Sequence, residues 1–237
     1  EQGFDPAPIG GEAELESEDT SGIPREVIRL RMAMDEVLAE IGMASPYVPD
    51  VRHGIILGTT LSGMRSGGSY LRSKRPPDIQ GFLAGSTMDR LLEPYGWSGL
   101  AMTTSSACSS GLASICLGVS LLEAGMLDLV LVGGYDPISE YAYSGFNSLR
   151  LISGSRPKPF SSDRDGLQLG ESYAILAIER PEAARNRGAE VIARVSGFGE
   201  TSDSFHLTQP HPEGDGAARA IRAAFATSGL VQDDIGL

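Results

Sequence analysis

The sequence predicts an α/β fold with a largely parallel sheet, because short apolar strands alternate with helical patterns along its 237 residues. The segments "HGIILGTT" at 53–60 and "LDLVLVGG" at 127–134 are short, apolar runs typical of strands buried on both faces. Apolar residues that recur at helical spacing over 24–42 supply an amphipathic helix. The apolar fraction of 41% and charged fraction of 21% are ordinary for a globular protein.

Each further element is predicted from a local pattern. Residues 1–22 are acidic and rich in Gly and Pro, so we expect an irregular lead-in. The glycines between Gly63 and Gly68 predict a loop, and the helix over 109–124 is apolar nearly all round, so we expect it to be buried. The remaining predicted elements are a helix over 82–96 that closes at Gly96, strands over 100–104, 172–180 and 190–199, and a helix over 214–230 whose end is marked by Gly229.

The charge and the cysteine count exclude several classes of function. A net charge of −12 disfavours nucleic-acid binding, and the short basic cluster of Arg72, Lys74 and Arg75 is interpreted as a solvated loop. The apolar runs are too short for a membrane span and no secretory leader is visible, so we expect no membrane partner. Cys108 and Cys116 are eight residues apart on one predicted helix, about 12 Å, which is too far for a disulfide. The two cysteines, which cannot pair with each other, favour the reducing cytoplasm.

No metal or cofactor site is predicted. No C-x-x-C or zinc-type spacing occurs, and His206, His211 and Glu213 share one Gly/Pro-rich loop without helical spacing. We interpret His206 as structural and His53 as structural or solvated. The cluster of Asp163, Arg164 and Asp165 is interpreted as solvated or locally paired charge, with a supporting role left open.

Cys108 is the strongest candidate for a catalytic residue. It follows the strand over 100–104 and precedes an apolar helix, so its side chain is expected at the edge of the sheet where ligands bind. The positive partial charge at a helix N-terminus favours a thiolate there, and small neighbours leave room for a substrate. The pattern therefore indicates a nucleophile for acyl transfer, although a small buried core cysteine remains the alternative. Cys116, in the middle of the helix, is interpreted as structural.

The segment "TTSSACSSGL" around Cys108 resembles the active-site cysteine segment of the β-ketoacyl-acyl carrier protein synthases, the condensing enzymes of fatty-acid and polyketide synthesis. A cysteine α/β hydrolase fits less well, because its elbow needs glycines where Ser106 and Ser110 stand. Further segments are similar to that family in order and spacing from about His53 onward: "LLEAGMLDLVLVGGYD", "SGFNSLRLIS", "RPKPFSSDRDGLQLGES" and "GFGETSDSFHLTQPHPEG".

The resemblance implies a thiolase-like, layered α/β/α fold built from two similar halves. Residues 23–200 would form a nearly complete N-terminal half and residues 201–237 the start of the C-terminal half. The family's usual first strand, and the two histidine motifs that decarboxylate malonyl thioesters, are not found in the 237 residues. We therefore expect this chain to be the central portion of a condensing enzyme, unable to complete condensation alone.

The resemblance also implies roles for single residues and for partners. Cys108 would be acylated by a carrier-protein thioester, with its backbone N–H contributing to the oxyanion hole. Phe146 matches a phenylalanine that gates the acyl pocket, and Arg150 matches a basic position near the surface that docks the acidic acyl carrier protein. The implied assembly is a homodimer or a heterodimer with a ketosynthase-like subunit, without cofactor or metal.

Two alternatives remain. Some members of the family are non-catalytic partner subunits that set chain length, but these usually lack the cysteine. A thiolase-like enzyme that uses coenzyme A thioesters is the other alternative.

Overall fold

The computed structural model describes residues 10–11, 22–43, 51–206 and 209–236. The strands are β1 (Gly10–Gly11), β2 (His53–Gly58), β3 (Leu100–Thr104), β4 (Leu129–Asp136), β5 (Leu169–Gly170) and β6 (Ser172–Glu179). The α-helices are α1 (Arg25–Glu40), α2 (Met64–Ser73), α3 (Pro76–Gln80), α4 (Ala84–Leu92), α5 (Ser110–Glu123), α6 (Glu140–Ser148), α7 (Pro181–Asn186) and α8 (Asp215–Ser228). Short 3-10 turns cover Glu93–Tyr95 and Gln232–Asp234.

A four-stranded sheet in the order β3-β2-β4-β6 lies at the centre of the described residues. The strands β3, β2 and β4 run parallel, and β6 pairs with β4 in the antiparallel direction. The sheet is therefore largely parallel, as the sequence predicts, with one reversed strand at its edge. Because β2, β3 and β4 run the same way, their carboxyl ends meet at one edge of the sheet.

Helices cover both faces of this sheet, which gives the predicted α/β/α layering. On one face α1 and α4 pack against Ile55, Leu57 and Leu131. On the other face α5 packs against Ile56 and Val130, whose side chains point the opposite way because strand residues alternate. Both sets of side chains are fully buried or nearly so, and together they form the core that fixes the strand ends.

The helix α5 is less buried than the sequence predicts. It contacts the sheet through a stripe of small residues, and a methyl group placed on Gly118 would lie only 2.5 Å from Cγ1 of Val132. Its opposite face is not covered by the described residues, and Leu112 there is 68% exposed. Within the described residues, the sheet therefore covers one face of this helix, and burial all round is not observed.

The predicted loop over Gly63–Gly68 is also wrong, since Gly67 and Gly68 lie inside α2. A side chain on Gly67 would lie 2.9 Å from the ring of Phe82, so this glycine allows close packing rather than an irregular turn. The Gly67 N–H donates to the carbonyl of Gly63 at 2.9 Å, which starts the helix.

The predicted strand over 190–199 does not form. In the described residues this segment has no strand beside it and instead runs along α8, where the Phe198 N–H donates to Oγ1 of Thr227 at 3.2 Å. Gly199 brings the segment against the helix, because a Cβ there would lie 2.1 Å from the carbonyl oxygen of Ala220. An apolar pattern alone forms no strand without a partner that completes its hydrogen bonds.

The other predicted elements are confirmed within a few residues, including Gly96 and Gly229 as left-handed ends of their helices. Within the predicted lead-in, Gly10 and Gly11 pair with β5, and the rest of residues 1–21 lies outside the described residues. The boundary between residues 200 and 201 stays a prediction. Among the helices that the structure describes, none has the length and apolarity needed to cross a membrane.

Candidate active site

Cys108 lies in the turn between β3 and α5, at the edge where the parallel strands end. Gly58 at the end of β2 is aligned with Thr104 of β3 on one side and with Gly134 of β4 on the other. The Cys108 residue is solvent-exposed and its thiol is free. The structure therefore places Cys108 where the sequence predicts it, and a substrate can approach it from solvent.

The turn that carries Cys108 holds a strained residue. Ala107 has a φ of 51°, a left-handed conformation that costs a non-glycine residue about 1–2 kcal/mol. Its carbonyl oxygen accepts hydrogen bonds from the N–H (3.0 Å) and the hydroxyl (2.6 Å) of Ser110. The same hydroxyl accepts from the N–H of Ser106 at 2.9 Å. These bonds close the turn around Cys108 and offset the strain.

Glycines allow the turn to sit directly on the strand ends. A Cβ on Gly58 would lie 2.0 Å from the carbonyl oxygen of Ser110, and one on Gly134 would lie 3.2 Å from Cα of Gly111. Both approaches are backbone against backbone, so a side chain at Gly58 cannot be accommodated by a rotamer change. The position of Cys108 above the sheet is fixed by this contact.

A neighbouring loop, which the sequence analysis missed, also reaches the turn. The carboxylate of Asp136 accepts hydrogen bonds from Oγ1 of Thr59 (2.8 Å) and from the N–H groups of Thr60 (3.0 Å) and Leu61 (2.8 Å). The hydroxyl of Thr60 then donates to the carbonyl oxygen of Ala107 at 2.8 Å. The sequence held a signal for this arrangement, since polar Thr59 follows β2 and polar Asp136 ends β4. The two strands are parallel, so their carboxyl ends lie at the same edge of the sheet.

Phe146 lies on α6 and Arg150 lies just after it. A linker of three residues joins the end of β4 to the start of α6, so this helix begins near the same edge of the sheet. Phe146 is half-buried and Arg150 is exposed. Arg150 ends the helix in a left-handed conformation (φ 56°), with its N–H donating to the carbonyl of Asn147. In the described part of the chain, no hydrogen bond joins either residue to Cys108. Their predicted roles stay predictions.

Comparison with known proteins decides the family. Residues 27–184 match the sequence model described as the N-terminal domain of beta-ketoacyl synthases. The chain belongs to the beta-ketoacyl synthase family. It is 31% identical over 198 residues to the 3-oxoacyl-[acyl-carrier-protein] synthase 2 of Staphylococcus aureus, a match covering 78% of this chain and 49% of that relative. The chain thus spans about half the length of the curated relatives it matches.

Solved structures of the same family share the fold. A beta-ketoacyl synthase from Burkholderia phymatum STM815 aligns with a TM-score of 0.79 and 27% identity over 96% of this chain and 60% of that one. The ketosynthase ApeO, solved with its chain length factor ApeC from Xenorhabdus doucetiae, aligns with a TM-score of 0.69 and 30% identity over 88% of this chain and 51% of that one. The thiolase-like layered fold expected from the resemblance is confirmed.

The second cysteine of this beta-ketoacyl synthase chain has a different environment. Cys116 lies in the middle of α5, half-buried and free. Burial raises the pKa of its thiol, and the negative charge of Glu200 raises this pKa further. A thiol held in its neutral form is a poor nucleophile, which agrees with the structural role predicted for Cys116.

The histidines and acidic residues of the chain are held in local structure. His53 is buried, with its ring edge-on to Trp97 at 4.8 Å between centroids, so it is structural rather than solvated. His206 is exposed, and Nδ1 of His211 accepts from the backbone of a nearby turn. Asp163 is paired with Lys158 at 2.6 Å. No group of three or more His, Cys, Asp or Glu side chains in the described ranges could hold a metal ion.

Proposed function

We propose that this chain carries the acyl-transfer centre of a β-ketoacyl-acyl carrier protein synthase in fatty-acid or polyketide synthesis. The observation that supports this most strongly is the position of Cys108, exposed in a strained turn at the carboxyl edge of a parallel sheet and at the start of a helix. The relatives named as 3-oxoacyl-[acyl-carrier-protein] synthases support the same reaction class.

The first step is the transfer of an acyl group to Cys108. The thiolate sulfur attacks the carbonyl carbon of an acyl-carrier thioester, and a bond forms from Sγ to that carbon. The carbon–sulfur bond to the carrier then breaks, and the carrier leaves as a thiolate that takes up a proton. The negative oxygen formed in between is stabilised by backbone N–H groups at the turn, and we assign the N–H of Cys108 to this oxyanion hole.

The second step is a decarboxylative condensation. A malonyl-carrier thioester loses CO₂, and the electron pair of the broken bond remains as a carbanion. That carbanion attacks the acyl carbon on Cys108, and Sγ leaves as the thiolate. None of the three histidines of the chain is assigned to this step, because His53 is buried against Trp97, and His206 and His211 stand in neither of the family's two histidine motifs.

The partners follow from the same proposal. We assign Phe146 to the acyl pocket and Arg150 to the docking of an acidic acyl carrier protein, since Arg150 is an exposed cation on a chain whose net charge is −12. The assembly is proposed as a homodimer or a heterodimer with a ketosynthase-like subunit. The two free thiols fit a reducing compartment, and the cytoplasm is the proposed location.

Mass spectrometry of the full-length protein tests this function. Incubation with an acyl-carrier thioester is expected to add one acyl group, and peptide mapping is expected to place it on Cys108. The Cys108→Ala variant is expected to take up no acyl group, whereas the matched Cys116→Ala variant takes up as much as the unsubstituted protein. An adduct on Cys116 alone, or none at all, contradicts the proposal.

The choice of donor separates the remaining alternatives. Faster acylation from the carrier thioester than from the coenzyme A thioester is the expected result, and the reverse order indicates a thiolase-like enzyme. A non-catalytic partner subunit predicts that Cys108→Ala leaves product formation unchanged when the longer condensing subunit is present. The exposed thiol of Cys108 favours the catalytic subunit.

A further inference from the structure

In the described part of the chain, a side-chain hydrogen bond from a distant segment reaches the turn that carries Cys108, in addition to the backbone contact at Gly58. The two bonds from Ser110 to the carbonyl of Ala107 join residues three apart, so they move together with the turn. The bond from Thr60 to the same carbonyl, at 2.8 Å, comes from 47 residues earlier in the chain. This bond joins the carbonyl of the strained Ala107 to the loop that follows β2.

Thr60 is itself held by Asp136. Both carboxylate oxygens of Asp136 lie 3.0 Å from the Thr60 N–H, and one of them also accepts from Thr59 and Leu61. Hydrogen bonds to an ionised carboxylate are stronger than those between neutral groups. Thr59, only 3% exposed, supports the loop further by accepting from the N–H of Ser62 at 2.9 Å. The loop after β2 is therefore rigid at the point where Thr60 points to the turn.

We propose that Thr60 and Asp136 are positioning residues for Cys108. The Thr60 hydroxyl holds the carbonyl of Ala107, and this carbonyl belongs to the same planar peptide unit as the N–H of Cys108. Asp136 acts one step further away by holding the Thr60 backbone. This proposal rests on the proposed acyl transfer to Cys108. Substitution of Thr60 or Asp136 would shift the sulfur and the N–H of Cys108 from their positions, although both groups would still be present.

The sharpest test compares two variants of Thr60 in the full-length protein. Thr60→Val keeps the shape of the side chain and removes the hydroxyl, whereas Thr60→Ser keeps the hydroxyl. Because Thr60 is exposed, neither change is expected to prevent folding. We expect Thr60→Val to lower kcat for acylation from the carrier thioester by about tenfold or more, with KM nearly unchanged. The reason is that a small displacement of the reacting groups lowers the rate strongly. Thr60→Ser is expected to restore most of the lost rate.

Alkylation by iodoacetamide separates positioning from loosening. Alkylation needs an accessible thiol but no oxyanion hole, so the rate at Cys108 is expected to change by less than about threefold in Thr60→Val. The rate at Cys116 and the melting temperature are expected to stay unchanged. If the variant only loosened the fold, Cys116 would react faster and the melting temperature would fall, and this result would overturn the proposal.

A double variant tests the order of the two residues. If Asp136 acts through Thr60, Asp136→Ala combined with Thr60→Val acylates no more slowly than Thr60→Val alone. If the double variant instead loses acylation rate by the product of the two single losses, the role given to Asp136 is overturned. If Asp136→Ala does not fold, the Thr60 pair decides the positioning proposal by itself.

The outcomes also separate this proposal from the proposed function. An unsubstituted protein that is never acylated on Cys108 overturns both. An unsubstituted protein that is acylated normally, with Thr60→Val equal to it in kcat, overturns the positioning role and leaves the proposed function intact.

Discussion

Cys108 and Cys116 stand eight residues apart, one in the turn before α5 and the other inside that helix, yet they differ in exposure and in the backbone geometry around them. Cys108 is exposed beside a left-handed Ala107, in a turn built from hydrogen bonds to side chains. Cys116 is half-buried in regular helix, and burial and a nearby carboxylate raise the pKa of its thiol. The difference shows that two cysteines close in sequence can have different exposure and backbone geometry, and we propose that only Cys108 is placed for chemistry.

The two regions are also held in place by different means. The turn rests on bare backbone at Gly58, while the helix is attached to the sheet through the hydroxyl of Ser114 and the small Gly118. A substitution that disrupts the contact at Gly58 should therefore mainly affect the turn that carries Cys108, and one that disrupts the contacts of Ser114 or Gly118 should mainly affect the helix that carries Cys116.

The largest expected effect comes from Gly58→Ala. The new Cβ would lie 2.0 Å from the Ser110 carbonyl oxygen, so the turn and the strand end must separate. We expect the free energy of unfolding to fall by about 3 kcal/mol or more, because backbone cannot repack around the added methyl group. Chemical denaturation measures this loss. The matched control is Gly85→Ala in α4, where nothing lies within 4 Å of the new Cβ and a gain of about 0.5–1 kcal/mol is expected. Equal effects of the two changes would contradict the contact described for the turn.

Ser114→Ala is expected to have the next largest effect. The Ser114 hydroxyl, fully buried, accepts from the N–H of Gly133 at 3.1 Å and lies 2.7 Å from the carbonyl oxygens of Gly111 and Gly133. Its removal leaves a buried N–H without this acceptor, so we expect the free energy of unfolding to fall by about 1–3 kcal/mol. The control is Ser120→Ala, whose hydroxyl donates to the carbonyl of Cys116 in the same helix at 2.9 Å. For Ser120→Ala, the free energy of unfolding should change by no more than about 0.5 kcal/mol. A loss at Ser120 as large as that at Ser114 would argue against the attachment of α5 to β4.

The smallest expected effect concerns the pH dependence of Cys116. Because its pKa is raised, its thiolate fraction at pH 7.5 lies below that of an ordinary cysteine, and its alkylation rate should keep rising with pH beyond about 8.5. Glu200→Gln removes a negative charge that opposes the thiolate, so the alkylation rate at pH 7.5 should rise by about two- to threefold. Mass spectrometry of peptides measures both cysteines in one sample, and the rate at Cys108 serves as the internal reference. An unchanged or lower rate at Cys116 would show that Glu200 does not act on it.

The sequence was sufficient to predict the layers of the fold and the turn that carries Cys108. Uninterrupted apolar runs such as Ile55–Leu57 and Leu129–Val132 identify strands buried on both faces, and the change to helical spacing after Cys108 identifies the turn. These signals are local, so a pattern in one window is enough to find them.

What the sequence did not reveal depends on contacts between distant segments. The pattern over 190–199 is that of a strand, but whether a strand forms depends on a neighbour, and here the neighbour is α8. Likewise Gly67 could be a loop glycine or a packing glycine, and only the ring of Phe82 decides. Thr60 and Asp136 were missed for the same reason, because polar residues at two strand ends show that the side chains can meet but not which hydrogen bonds they form.

The turn around Cys108 brings together stretches of chain that are far apart in order of synthesis. Thr59 and Asp136, which the carboxylate joins, are 77 residues apart, and Ala107 lies between them. Such long-range closure is slow and comes after local structure has formed. When the ribosome has made α5, Cys108 is therefore present, but the hydrogen bonds that link its turn through Thr60 to Asp136 are not. These bonds can form only after β4 has been made and has paired with β2.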